Sequence, residues 1–346
     1  MVDPGKPEQP GQRSPSAGIR LASLIGCIGL LSMPLLAQRT ATGRRIDLTS
    51  ALQLGSGQFA QLFIPDYYVA PFGGAIDLVI HLHGASWAAE DEVYRSRRNA
   101  VLFNIHLGGF SSAYQGYFVD QSRFRTILNT VLASLESNGI ISHPSVRFLI
   151  LTSFSAGYAG VREMLKSASY YARVDALTLA DGLHCNSDSA AMRGQMQDFV
   201  RYAKDARDRV KVMLLTHSSI PTPGYQSTTQ TADYLLQGIG GKRTSRVLSD
   251  EIGTLYSVCD TGHFHLRGYL GETAPDHLKH LYAMHLLADQ AESLLQVQEL
   301  GVLQYEAFPA GTHRVVWDAR GRPSGVYFCR LEAAGLCSWK KVTLLR

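Results

Sequence analysis

The sequence predicts an α/β protein: a mostly parallel sheet with helices on both faces, followed by a small C-terminal all-β module. Three observations lead there. Near-continuous apolar runs such as Ala75 to His83 (AIDLVIHLH) alternate with segments of helical period such as Ser122 to Asn138, the pattern of strands buried on both faces. The ten residues Phe148 to Gly157, FLILTSFSAG, end an apolar strand in small residues and run straight into a helix-compatible stretch. After about Leu300 the pattern changes to short alternating runs separated by Gly- and Pro-containing turns.

In chain order, Gln58 to Ile64 is the clearest of the early alternating segments, and Ala75 to His83 is a strand closed by Gly84. Val101 to Leu107 is a further strand. Ser122 to Asn138 places Phe124, Ile127, Leu128, Val131, Leu132 and Leu135 on one stripe, and Asn138-Gly139 stops it. Strands over Val146 to Leu151, Ala176 to Leu179, Val210 to Thr216 and Gly253 to Val258 alternate with helices over Gly157 to Ala168, Ala190 to Ala206 and Thr228 to Gly238. A long helix from about Pro275 to Gln296 closes the domain. Three β runs follow: His313 to Asp318, Gly325 to Leu331 and Ser338 to Leu344. The parts are a leader, residues 1–37, a catalytic α/β domain, 38–299, and a partial β-sandwich tail, 300–346.

The 346 residues, 45% of them hydrophobic, suffice for one large domain with a sizeable core. The net charge of +4 is spread over interspersed acids and bases, with no Lys/Arg run to line a nucleic-acid groove. The leader has a polar, Pro/Gly-rich start, then an apolar run from Leu21 ending at Leu35-Leu36-Ala37. It reads as a signal peptide cleaved after Ala37. An uncleaved membrane anchor and lipidation at Cys27, in Leu24-Ile25-Gly26-Cys27, are the alternatives. Each implies a protein exported to the periplasm, the cell surface or the medium. Export permits disulfides. Cys185 and Cys259 would bridge if their loops meet at one site, Cys329 and Cys337 would pair locally, and free buried thiols are the other reading.

The chemistry centres on Ser153-Phe154-Ser155-Ala156-Gly157. A sharp strand-to-helix turn needs small residues two before and two after its centre, and here they are Ser153 and Gly157. Ser155 is then a nucleophile, and the Ala156 N–H one oxyanion donor. Upstream, His81-Leu82-His83-Gly84-Ala85-Ser86 ends a strand in a turn whose main-chain N–H groups around Gly84 and Ala85 are the second donor. His83 is expected to organise that loop rather than act as base. After the last recognised strand, LYSVCDTGHFHLRGYLGE offers His265 as the base, with His263 as the alternative. No carboxylate follows Val210 to Thr216, where His217-Ser218-Ser219 stands, and one strand earlier Asp181, at the end of ALTLAD, is the candidate acid. Asp260 and Asp276 are fallback acids, Asp276 also serving as a helix cap with Thr273. Tyr114, Tyr117 and Tyr225 are candidates, with His83, to line a pocket.

Serine turn, oxyanion turn, acid and late histidine, in that order, resemble the α/β-hydrolase superfamily over residues 58–296. The resemblance implies a serine esterase with a Ser-His-Asp triad, a small-molecule or carbohydrate ester as substrate, and no cofactor or metal. The tail AGTHRVVWDARGRPSGVYFCRLEA with its basic final strand resembles the sorting domain of bacterial type IX secretion and the related FlgD-like immunoglobulin fold, without their front half. That implies secretion machinery as a partner. Two other functions compete. His81-x-His83, His263-x-His265, Asp181 and His184 are potential ligands of a metal-dependent hydrolase. A non-catalytic surface binding protein on the same fold is the third reading.

Overall fold

A computed structural model describes residues 41–285, Trp317, Ala319, Arg320, and the segments 325–333 and 336–344. The described chain is built on a ten-stranded sheet in the order β1-β2-β4-β3-β5-β6-β8-β12-β11-β10. Its middle is parallel: β4 (Ala100–His106), β3 (Ala75–Leu82), β5 (Ser145–Phe154), β6 (Ala176–Ala180), β8 (Val212–His217) and β12 (Phe264–Leu270). Antiparallel strands flank it, β1 (Gly43–Asp47) and β2 (Phe59–Pro65) on one side, β11 (Thr254–Thr261) and β10 (Thr244–Ser249) on the other. A separate ribbon pairs the two-residue strands β7 (Cys185–Asn186) and β9 (Tyr225–Gln226).

Successive side chains of each strand alternate between two cores. Leu78, Ile80, Leu149, Leu151, Leu177, Leu179, Met213 and Leu215 face one side. They meet α3 (Ser122–Ser137), α4 (Tyr158–Leu165), α6 (Ser189–Arg207) and α7 (Thr228–Ile239) through residues such as Phe124, Val161, Phe199 and Leu235. Val79, Leu102, Ile150, Ala176 and Leu214 face the other side, covered by α1 (Ser86–Arg95) through Ala89 and Val93. Nearer the carboxyl edge, Leu281 of α8 (Ala274–Tyr282) packs with Met284, Phe154 and Ala180. Three of the helices start at side-chain caps that the sequence supplies. Asp188 accepts from the N–H groups of Ala190 and Ala191, and Ser227/Gln230 and Thr273/Asp276 form capping boxes at α7 and α8. This is a mostly parallel sheet with helices on both faces.

Several elements differ from expectation. The strand anticipated over 253–258 runs on to Thr261, turns at Gly262-His263 and returns as β12, which the sequence reading did not separate. The helices α1 and α2 (Ser111–Phe118) and the edge strand β10 are also additional. Cys185 and Cys259 are both buried and unbridged. Cys185 lies beyond the carboxyl end of β6, whereas β11 carries Cys259 down toward the amino edge, so the two loops do not meet. In the tail, β13 (Gly325–Ala333) and β14 (Leu336–Leu344) form an antiparallel hairpin. Its register sets Cys329 opposite Lys340 and Cys337 opposite Glu332. That stagger of about 10 Å is beyond disulfide reach. The leader, the lipidation motif, the end of the long helix and most of the 313–318 run lie outside the described residues. Among the described residues no helix is long and apolar enough to cross a membrane.

Candidate active site

Strand register gathers the site at one edge. Phe154 pairs with Ala180, Ala180 with Thr216 and Thr216 with Arg267, so the residues that leave β5, β6 and β8 at the same height include Ser155 and Asp181. Both depart with backbone that L-residues rarely adopt, φ 45° at Ser155 and 39° at Asp181. Ser155 opens a single 3-10 turn, Ser155–Gly157, that passes into α4. Gly157 is there because a Cβ would run into the Leu82 carbonyl of β3. Ser153, two residues before Ser155, is fully buried. Gly182 completes the fit, since a Cβ there would lie 2.5 Å from the Ser155 carbonyl oxygen and 2.6 Å from its nitrogen. The Asp181-Gly182 turn therefore lies directly against the serine backbone.

Asp181 is a buried carboxylate at this edge with both of its oxygens engaged. Its Oδ1 accepts from the Ser218 N–H at 2.8 Å and the Thr228 hydroxyl at 2.7 Å. Its Oδ2 accepts from Nδ1 of His277 at 2.7 Å. Burial alone would raise the carboxyl, but the hydrogen bond from His277, the nearby imidazoles of His280 and His277 and the Thr228 bond outweigh it and hold Asp181 far below the usual carboxylate range. The α7 N-terminus adds its positive end, because Thr228 is the first residue of that helix.

The histidine on Asp181 is not one the sequence reading chose. His277 stands in the first turn of α8, four residues after the Thr273 cap, with its ring 4.5 Å from that of Phe154, the residue before Ser155. Asp181 fixes Nδ1 as the donor, which leaves Nε2 for proton transfer. Among the described residues the Ser155 hydroxyl and His277 make no hydrogen bond to one another; such bonds commonly tighten only with substrate present.

His265 and His263 are at the other end. β12 runs parallel to β8, and His265 pairs with Leu214, three positions short of the edge and three strands from β5. That puts it about 10 Å down the sheet and about 14 Å across it. Its Nδ1 is taken by Asp260 at 2.6 Å, and Arg267 holds the same carboxylate oxygen at 2.8 Å. His263 is in the β11–β12 turn, bonded through its backbone to Ala206 and Met213. Neither reaches Ser155, and Asp260 belongs to their cluster. Asp276 is the α8 cap that its sequence spacing indicated.

On the β3 side of the serine, four rings stand at one height on adjacent strands. Phe59 stacks on His106 (5.3 Å), His106 on His83 (5.3 Å) and His83 on Phe154 (6.0 Å), and His277 extends the row from α8. Burial, with His106 beside it, pushes His83 down to about 3. Its Nδ1 meets the Tyr114 hydroxyl at 3.0 Å, and that hydroxyl accepts the Leu107 N–H. His83 thus organises the loop after β4. Tyr114 is fully buried in that role and cannot contact substrate, contrary to expectation. Tyr117 packs edge-on to Phe118 beneath the Arg123 guanidinium. Tyr225, 36% exposed, is beside His184.

Gly84 and Ala85 lead from β3 into α1, where Ala85 is the N-cap residue, and the Leu82–Gly157 contact keeps this turn against the elbow that carries Ala156. The first N–H groups of α1 and of the elbow have no helical acceptor. The two His-x-His pairs, by contrast, sit on β3 and beside β12, four strands and about 19 Å apart, too far for one metal. Among the described residues no group of three or more His, Cys, Asp or Glu is arranged to hold a metal ion.

No protein-family model and no curated protein matches the chain. Solved structures similar to it include a siderophore hydrolase, EstA, from Aspergillus nidulans, at 11% identity and a TM-score of 0.43, covering 75% of this chain and 98% of that one. An acetyl xylan esterase from Aspergillus awamori is 12% identical, with a TM-score of 0.40 and 69% and 99% coverage. A zinc-bound cold-adapted esterase from an Arctic intertidal metagenomic library is 15% identical, with a TM-score of 0.41 and 74% and 96% coverage.

Proposed function

We propose that the chain is a serine hydrolase of carboxylic esters, with Ser155 as nucleophile, His277 as base and Asp181 as the residue that orients it. The supporting observation is the Asp181 carboxylate, clamped by Ser218, Thr228 and His277 directly behind the strained Ser155 turn. A buried, ionised acid on Nδ1 fixes the imidazole tautomer and stabilises the imidazolium formed during reaction. Ser155 Oγ attacks the ester carbonyl carbon while Nε2 of His277 takes the hydroxyl proton. The tetrahedral oxyanion is held by the N–H of Ala156 and an N–H of the Gly84-Ala85 turn. The C–O bond to the alcohol breaks, and the alcohol leaves with the proton from His277. Water then attacks the acyl-enzyme with His277 again as base, releasing the carboxylic acid and restoring Ser155.

The test is covalent labelling with a fluorophosphonate probe, site mapping, and turnover of a short-chain aryl ester. Wild type labels at Ser155, and Ser155→Ala neither labels nor turns over. Full turnover by the alanine variant overturns the reading.

A further inference from the structure

A second imidazole stands near the Ser155 turn and takes no part in the proton transfers above. His184 follows Asp181 by three residues, after Gly182, which touches the Ser155 backbone. Its Nδ1 lies 3.1 Å from the Gln226 carbonyl, so Nδ1 carries the proton and Nε2 is left with its lone pair. The ring is held edge-to-face by Tyr158 (5.7 Å, 71°) and Tyr225 (5.2 Å, 83°). Tyr158 is the first residue of α4, three after Ser155, and Tyr225 pairs with Asn186 in the β7–β9 ribbon. Among the described residues Nε2 meets no donor, although the rest of the ring is packed on both sides. Burial lowers the imidazole from its ordinary value, so it stays neutral at neutral pH and remains an acceptor.

We propose that His184 is a specificity-determining residue: its Nε2 accepts a hydrogen bond from a hydroxyl on the substrate, so the enzyme prefers esters of hydroxylated rings, sugars or phenols. The inference rests on the serine-hydrolase reading of the same site. An aliphatic chain in this place leaves the lone pair unpaired beside two aromatic edges, and a carbonyl or carboxylate offers it no proton. A ring hydroxyl satisfies it, and the flanking tyrosines give the ring two apolar edges to pack against. Sites that bond a substrate hydroxyl discriminate strongly against the analogue lacking it, because the protein group is left unpaired.

The experiment compares kcat/KM within two pairs of esters. The first pair, an acetylated methyl xyloside and cyclohexyl acetate, varies hydroxyls on the alcohol side. The second, methyl 4-hydroxycinnamate and methyl cinnamate, varies a hydroxyl on the acyl side. Wild type is expected to favour the hydroxylated member of one pair by about ten- to a hundred-fold, and the pair that responds shows which half of the substrate faces His184. The preference falls toward unity in His184→Phe and is partly kept in His184→Gln, whose side-chain carbonyl still accepts. Equal rates within both pairs, or a wild-type preference in His184→Phe, overturn the proposal. If wild type hydrolyses none of the four esters and no probe labels Ser155, the hydrolase reading itself fails and the inference falls with it.

Discussion

Two histidines with carboxylate partners separate the roles that single residues play here. His277 bonds the buried Asp181 at the serine edge, whereas His265 bonds the half-exposed Asp260 near the amino edge. Each pair has the local geometry of a base with its orienting acid. What distinguishes them is position, because only His277 packs against Phe154, next to Ser155. His277→Ala is accordingly expected to lower kcat by about 10⁴-fold or more with little change in KM. His265→Ala leaves kcat intact and lowers stability, since it removes a buried ring bonded to Asp260. Steady-state kinetics and thermal melts of both variants check this, and the opposite pattern would restore His265 as the base.

At the scale of elements, the residues that were legible and the one that was not have the same origin. Ser155 and Asp181 could be found because each ends an apolar strand of evident period, and the small neighbours Gly157 and Gly182 mark the tight approach at each. His277 was missed because β12 was not separated from β11. LYSVCDTGHFHLRGYLG carries no strong turn signal beyond Thr261-Gly262-His263, and the hairpin there reverses the chain. Reading the hairpin as one strand and an exit loop placed His263 and His265 after the sheet, when His263 is in the hairpin turn and His265 is near the start of the last parallel strand. The signal that remained was the capping box: Thr273 and Asp276 mark the start of α8 and so put His277 in a first turn at the carboxyl edge. That cap also fixes the histidine in space. Asp276 bonds the Thr273 hydroxyl at 2.6 Å, the N–H groups of Glu272 and Thr273, and Lys279. Asp276→Ala should cost about 1 kcal/mol, or a melting point lower by roughly 2–4 °C for a domain of this size. It should also lower kcat about ten-fold through the neighbouring residue, while Asp276→Asn, which keeps an acceptor, recovers much of both. An alanine variant with a lowered melting point but wild-type kcat would show that the cap does not position His277.

For the whole molecule, the same edge that gathers Ser155, Asp181 and His277 also gathers neutral histidines inside the fold. His81 is bonded to Thr152 and the His83 carbonyl, His217 to Thr229 and Arg243, and His280 to Thr216. Burial is the leading cause in each case, pushing His81, His217 and His280 down to about 4, as it pushes His83 to about 3. In the unfolded chain each would titrate near 6.5. The folded state therefore binds fewer protons than the unfolded one between about 6.5 and these lower values, and stability must fall as pH drops through that window. The carboxylates act further down. Asp181 lies far below its ordinary value and Asp276 is lowered to about 2, so their contributions are complete above about 4 and are lost as pH falls further. The expected profile is a melting temperature that is level above pH 7, declines from about 6.5 and steepens below 4. In His217→Gln, which keeps a polar side chain without the titrating ring, the decline between 6.5 and 4 should be shallower than in wild type. A wild-type melting temperature that stays constant from pH 7 to pH 5 would mean that these imidazoles are not held neutral by the fold.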